Sequence, residues 1–270
     1  MFLPDNQSNR IKILGSIIMK ARRSKQTPPA AFGVLSLLMA LLIALTVSCS
    51  DDNSAGPDNT DTNTVTDIDG NVYQTIQIGS QRWMAENLAV THYRNGDSIP
   101  NGSDSATWVN LNSGAWIVYN LDTAHLADYG LLYNWYAVSD SRNIAPTGWH
   151  VASDSDWMQL EMYLGMSQAQ VDSMYLRGSD EGGKLKEADM SHWTDPNLGA
   201  TDEVGFCARP GGMRDITDHF HSMGNVCYIW TATDGGSEYA MSRSLYNNNS
   251  GIYRENSYRR AGYSVRCVKD

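Results

Sequence analysis

The sequence predicts an α+β domain of short, twisted antiparallel sheets, two short helices and long loops, set behind an export leader. Three observations carry that expectation. Residues of alternating polarity recur at both ends of the region after residue 66. Two serine-capped amphipathic segments sit side by side in its middle. Gly, Pro and Asn punctuate the long irregular stretches that separate these parts.

The N-terminal part is not domain material. Lys20, Arg22, Arg23 and Lys25 form a basic region, and an apolar run from Ala30 to Val47 follows, ending at Ser48-Cys49. That is the plan of a secretory signal peptide over residues 1–48, with Met19 the better initiator than Met1. At about 18 residues the run only just reaches the length of a spanning helix, so an uncleaved anchor is the competing reading. Thr46-Val47-Ser48-Cys49 resembles a bacterial lipobox, with the usual Leu displaced one residue to Leu45. The resemblance implies lipidation of Cys49, and more than one acyl chain there would anchor the chain stably. Residues 49–66 then read as the lipidated Cys and a flexible acidic tether, polar and nearly free of large apolar side chains. Asp51 and Asp52 behind the cysteine resemble the signal that exports lipoproteins to the cell surface in Bacteroidetes-like bacteria; in other envelopes similar acids mean inner-membrane retention. The expected location is the cell envelope, lipid-anchored at the outer membrane, on the cell surface or in the periplasm, between which the sequence alone does not choose.

The chain has 20 Lys/Arg against 30 Asp/Glu. The leader holds six of the basic residues and one acid, so the remainder carries 14 against 29. Such a surface repels nucleic acid and anionic lipid, which leaves the lipid anchor as the expected contact with membrane.

Residues 67–270 hold the domain. Asp67-Ile68-Asp69-Gly70-Asn71 opens like a calcium loop but lacks the remaining ligands and the twelfth-position glutamate. Asp-Gly and Gly-Asn between β-type runs instead predict a hairpin. Val72, Ile76 and Ile78 fall on one strand face, Gly79-Ser80 turns, and Gln81–Met84 forms the return strand. From Thr91 to Asp128 the chain is loop-rich; Trp108, Trp116 and Tyr119 in it are ring faces for stacking on sugars or ordinary core aromatics. An aromatic run, Tyr129, Tyr133, Trp135 and Tyr136, leads through Pro146-Thr147-Gly148 into the first helix. Ser153 and Asp156 have capping-box spacing, and Trp157, Leu160 and Leu164 make its apolar stripe. Ser167 and Gln170 repeat the box for a second helix to Tyr175, burying Val171, Met174 and Tyr175. After an irregular stretch to Gly212, strands are expected at Tyr228–Ala232, Ala240–Tyr246, Ile252–Tyr253 and Tyr263–Val268.

Lipidation of Cys49 leaves Cys207, Cys227 and Cys267 in an oxidising compartment. Cys207 and Cys227 flank a Gly/Pro-rich loop, and a disulfide between them would restrain it by roughly 3 kcal/mol. Cys267, in an alternating terminal strand, reads as a buried thiol. No CxxC spacing suggests a metal site. His219 and His221 share a strand face but have no third ligand nearby in sequence. Neither a G-x-S-x-G elbow nor a helix-borne carboxylate pair is present.

The run GWHVASDSDWMQLEMYLG resembles the signature of the Fibrobacter succinogenes major paralogous domain, found in bacterial surface and secreted proteins. Four further pieces resemble it in order: residues 78–88 (IGSQRWMAENL), 182–187 (GGKLKE), 205–212 (GFCARPGG) and 264–269 (SVRCVK). The resemblance implies a fold similar to C-type lectins and formylglycine-generating enzymes, and no known activity. In a lectin-like fold residues 176–212 would be the long-loop region that takes ligand and calcium. The sugar-selecting EPN, QPD and WND triplets are absent, and Asp195-Pro196-Asn197 is nearest. Ser153–Trp157 resembles the helix motif of the formylglycine-generating group, whose chemistry needs a cysteine pair near the C-terminus where this chain has Cys267 alone. The expected function is therefore non-catalytic binding of a carbohydrate or another extracellular polymer, with no cofactor, no metal and no assigned ligand residues. The alternatives are a structural or adhesive envelope protein contacting a protein partner and, behind it, a formylglycine-generating type of enzyme.

Overall fold

The structure, a computed structural model, describes residues 63–103 and 108–270. The leader, Cys49 and most of the tether lie outside the described residues. In chain order the first strands are β1 (Thr64–Thr66), β2 (Val72–Ile78), β3 (Gln81–Met84), β4 (Trp116–Ile117), β5 (Leu132–Tyr133) and β6 (Trp149–Val151). Then come β7 (Tyr175–Arg177), β8 (Gly211–Arg214), β9 (Phe220–Met223) and β10 (Val226–Asp234). The last are β11 (Tyr239–Tyr246), β12 (Ile252–Tyr258), β13 (Ser264–Val265) and β14 (Cys267–Lys269). Helices are α1 (Leu126–Tyr129), α2 (Trp135–Val138), α3 (Asp154–Leu164), α4 (Gln168–Asp172) and α5 (Glu181–Leu185). Among the described residues no helix is long and apolar enough to cross a membrane.

The strands form an α+β fold. A five-stranded sheet runs β1-β2-β3-β14-β6, so the last strand of the chain closes onto the first hairpins. A seven-stranded sheet runs β7-β12-β11-β10-β8-β9 with β13 added in parallel to β10, and β4 pairs with β5. β1 takes in three residues expected to be tether, because β-branched Thr64, Val65 and Thr66 pair with Gln74, Tyr73 and Val72. The hairpin expected at Asp67–Asn71 joins them. Asp67 Oδ1 accepts from the amides of Asp69 (2.9 Å) and Asn71 (3.0 Å), and Oδ2 accepts from the Tyr73 hydroxyl (2.6 Å). Gly70 takes the positive φ of 85° that the turn requires.

Both predicted capping boxes are present. Asp156 receives the Ser153 amide at 2.8 Å while Ser153 Oγ receives the Asp156 amide at 3.2 Å, and Ser167 and Gln170 do the same for α4. The second helix ends sooner than expected, at Asp172. Tyr175 starts β7 and is 69% exposed instead of buried, since pairing with Arg254 of β12 wins over a further helical turn. The three additional helices are four or five residues long, too short for a 3.6-residue period to be read. In α5 the glycines are required by close approach: a Cβ on Gly182 would lie 2.1 Å from the Gly251 carbonyl, and one on Gly183 2.1 Å from that of Gly199.

Alternation along β10, β11 and β12 sends side chains to two separate cores. Cys227, Ile229, Leu245 and Ile252 meet Trp157, Leu160 and Leu164 of α3, beside a cluster in which the rings of Trp83, Trp157 and Phe206 lie 5.2–5.6 Å apart. Trp230 and Ala240 face the other way, into the core of Tyr73, Tyr133, Trp135 and Tyr263. An ionic network also ties α3 to the sheet. Arg243 donates to Glu161 Oε1 and to Asp154 Oδ1, each at 2.7 Å; Arg254 donates to Asp154 Oδ2 at 2.7 Å; Arg177 donates to Glu161 Oε2. Burial pulls the Arg177 guanidinium down to about 10 and pushes the Asp154 carboxyl up, but for Asp154 the hydrogen bonds and charges of Arg254 and Arg243 prevail and hold it below the usual carboxylate range.

Candidate functional site

A cleft of about 470 Å³ opens between β2, residues 85–89, α1 and residues 207–209. Its floor is Arg266, whose side chain is almost wholly buried between β13 and β14. Nε donates to Asn87 Oδ1 (2.7 Å), Nη1 to the carbonyls of Met84 (3.0 Å) and Phe206 (2.7 Å), and Nη2 to that of Cys207 (3.0 Å). Burial lowers the Arg266 pKa to about 10, so the guanidinium stays a cation at neutral pH. Asn87 in turn donates to the Tyr129 carbonyl at 2.9 Å, which fixes the end of α1 as one wall. On the facing wall Arg209 donates to Glu187 Oε1 at 3.0 Å and to Asp128 Oδ1 at 3.1 Å, and His192 Nδ1 contacts Glu187 Oε2 at 2.7 Å. Gln74 and Glu86 complete the polar lining, with the Gln74 amide donating to Glu86 Oε2 at 2.7 Å.

A second depression of about 300 Å³ shares Ala89 and Leu126 with the cleft. Its lining is mainly apolar, from Trp116, Val118, Leu121 and Leu131, with Thr91, Asn101, Ser103 and Thr123 among them. Trp116 Nε1 donates to the Ile99 carbonyl at 2.9 Å, which holds the indole in place. Leu121 is 55% exposed here, a large apolar side chain left in the open.

Of the aromatics singled out in sequence, Trp116 lines this trough. Trp108 is instead fully buried under the Arg214 guanidinium, 4.5 Å from its ring centroid, and presents no face to a ligand. Tyr119 packs against Phe220 at 5.1 Å. The bridge expected between Cys207 and Cys227 is not formed in the structure, where both are free thiols. Cys207 lines the cleft in a left-handed backbone conformation (φ 52°), whereas Cys227 is turned into the core against Leu245 and Ile252. Burial raises the thiol pKa of Cys207, Cys227 and Cys267, that of Cys227 to about 12, and Cys267 is buried as expected.

His219 and His221 have ring centroids 6.2 Å apart, and Asp215 takes His221 Nε2 at 2.6 Å. Among the described residues no three His, Cys, Asp or Glu are grouped to hold a metal. Asn197 of the Asp195-Pro196-Asn197 triplet is buried and donates to the carbonyls of Glu187 (2.9 Å) and Asp189 (3.1 Å), so it shapes the loop instead of facing a ligand. Sequence reading passed over Arg266, Asn87, Arg209 and Glu187. The available signal was their place in the ordered motif pieces, residues 78–88, 182–187, 205–212 and 264–269.

No curated protein and no solved structure matches the chain. The profile of the Fibrobacter succinogenes major domain matches residues 76–269. That span includes most of the cleft and every hydrogen-bond partner of Arg266, drawn from the segments around Met84, Asn87, Phe206 and Cys207. With most of its length matched, the chain belongs to the Fibrobacter succinogenes major domain family.

Proposed function

We propose that this is an exported lipoprotein, anchored through Cys49 in the cell envelope, whose domain binds a carbohydrate or another extracellular polymer without acting on it. The observation that carries the reading is the adjoining pair of depressions. One is lined by amide, carboxylate and guanidinium groups and the other by Trp116 and aliphatic side chains. Planar polar groups suit the directional hydroxyls of a sugar, and an indole suits the apolar face of its ring. The shared wall at Leu126 suits a ligand longer than a monosaccharide. Support for a non-catalytic role comes from the thiols, which burial keeps protonated at neutral pH, and from the engagement of Asp128 and Glu187 by Arg209.

The test is titration calorimetry of the mature domain against soluble polysaccharides, with Trp116→Ala and Arg209→Ala as variants. A polysaccharide that binds the parent and binds both folded variants at least tenfold more weakly supports the reading. Binding untouched by both variants sinks it, and capture of an envelope protein through the same residues favours the adhesive alternative. Intact mass of the protein from its own cells tests the anchor, because an unmodified Cys49 would overturn it.

A further inference from the structure

The cleft leaves unused the second face of the large sheet. On β10, β11 and β12 the residues that share the face of Trp230 are fixed by register: Tyr228 lies opposite Ser244, which lies opposite Tyr253, and Trp230 lies opposite Ser242, which lies opposite Glu255. The half of this face nearest Trp230 is covered by the core around Trp135 and Tyr263. The other half carries Tyr228, Tyr246 and Tyr253, all partly exposed, and ends at Leu176, which is 48% exposed and pairs with Tyr253. Rings run across it in a chain. Tyr228 stacks on Tyr263 at 4.9 Å, Tyr246 lies edge-on to Tyr228 at 6.3 Å, and Tyr253 meets Tyr246 at 4.8 Å.

Two charged residues sit at paired positions of β10, β11 and β12 on this face: Asp234, opposite Ala240 at the covered end and engaged by Arg259, and Glu255, whose Oε1 accepts from Ser244 Oγ at 2.8 Å. The cationic side chains of the same strands, Arg243 and Arg254, point the opposite way into the network beneath α3. In the tyrosine-bearing half, rings surround one free-standing carboxylate acceptor, and the nearest cation of the face among the described residues, Arg259, is held over Trp135 and by Asp234 at the covered end, so this half does not suit an anion. Its aromatic carbons suit the C–H face of a pyranose and its carboxylate suits ring hydroxyls, which are donors.

We propose that this tyrosine-bearing half-face is a second binding site, separate from the cleft, for an uncharged sugar chain. It stands on its own residues and does not require the cleft to bind.

Affinity electrophoresis of the mature domain in gels containing hydroxyethyl cellulose, laminarin or galactomannan, with polygalacturonate as the anionic comparison, tests it. At least one neutral polysaccharide should retard the domain and polygalacturonate should not. Tyr253→Ala should weaken that retardation at least fivefold. Leu176→Arg, at a position 48% exposed, should do the same by crowding the rim. Trp116→Ala, confined to the trough, should leave this component in place. Retardation that survives both face variants but is lost in Trp116→Ala would assign the sugar to the cleft alone and overturn the proposal. No retardation by any neutral polysaccharide, or a domain that dimerises through Leu176 and Tyr253, would overturn it as well.

Discussion

Replacing Glu161 with Gln should cost the domain about 3–5 kcal/mol, the range for breaking a fully buried ion pair from one side. The structure puts Glu161 in that class. Its carboxylate and the Arg243 side chain are both 0% exposed and Arg177 is 2% exposed, so water cannot take over as partner. One carboxylate serves two guanidiniums, and its neutralisation leaves Arg177, whose Nε already lacks a partner, without a carboxylate and leaves Arg243 to share Asp154 with Arg254. For a domain of this size each kcal/mol moves the melting midpoint by about 2–4 °C, so a fall of roughly 6–20 °C is expected. Urea denaturation followed by tryptophan fluorescence measures the loss, with Asp97→Asn as the control, since its pair with Arg142 is open to solvent and should leave the midpoint unmoved. Adding Arg177→Met to Glu161→Gln should recover part of the loss, because it removes one uncompensated charge. A cost no larger than the ~1 kcal/mol of an exposed pair, or no recovery in the double variant, would refute the reasoning.

Acid should unfold the domain partly through Asp154 and Asp215. For Asp215, burial raises the pKa, but hydrogen bonds from the His219 amide, His221 and Thr217 outweigh it and hold the carboxyl well below the usual range. With folded values below unfolded ones, both contribute stability that is whole above about pH 4 and is lost as pH falls through the folded values; Asp154→Asn should flatten the decline of urea midpoint between about pH 5 and 2. Lys186 donates to the carbonyls of Leu198 (2.9 Å), Tyr246 (2.9 Å) and Asn249 (3.0 Å) and, among the described residues, has no carboxylate partner. Lys186→Met should cost at least about 2 kcal/mol by stranding buried acceptors, measured by the same denaturation. Burial lowers the Lys186 pKa to about 8, below its unfolded value, so its burial cost is full below that pH and fades as pH rises. The parent should therefore gain on Lys186→Met between about pH 8 and 10, and a constant gap would refute this.

Much of the local structure is legible in neighbouring residues. The serine boxes placed α3 and α4 because a cap is satisfied within four residues, and Asp67–Asn71 announced its hairpin by the same kind of short-range bonding. The end of α4 was misjudged because Tyr175 answers to Arg254, a partner far along the chain. The same holds for Trp108, whose burial depends on Arg214.

What the sequence by itself determined was the family, the α+β class, the capped helices and the acidic character of the domain. Each is written in neighbouring residues or in ordered motifs. Only the tertiary structure decided that Arg266 would reach Asn87 and Met84, 179 and 182 residues away, and so build the floor of the cleft. It alone decided that Arg243 would find Glu161, and that Tyr228, Tyr246 and Tyr253 would share a partly exposed face. Periodicity tells which side of a strand a residue occupies; which strand lies beside it, and in what register, depends on the path of the whole chain.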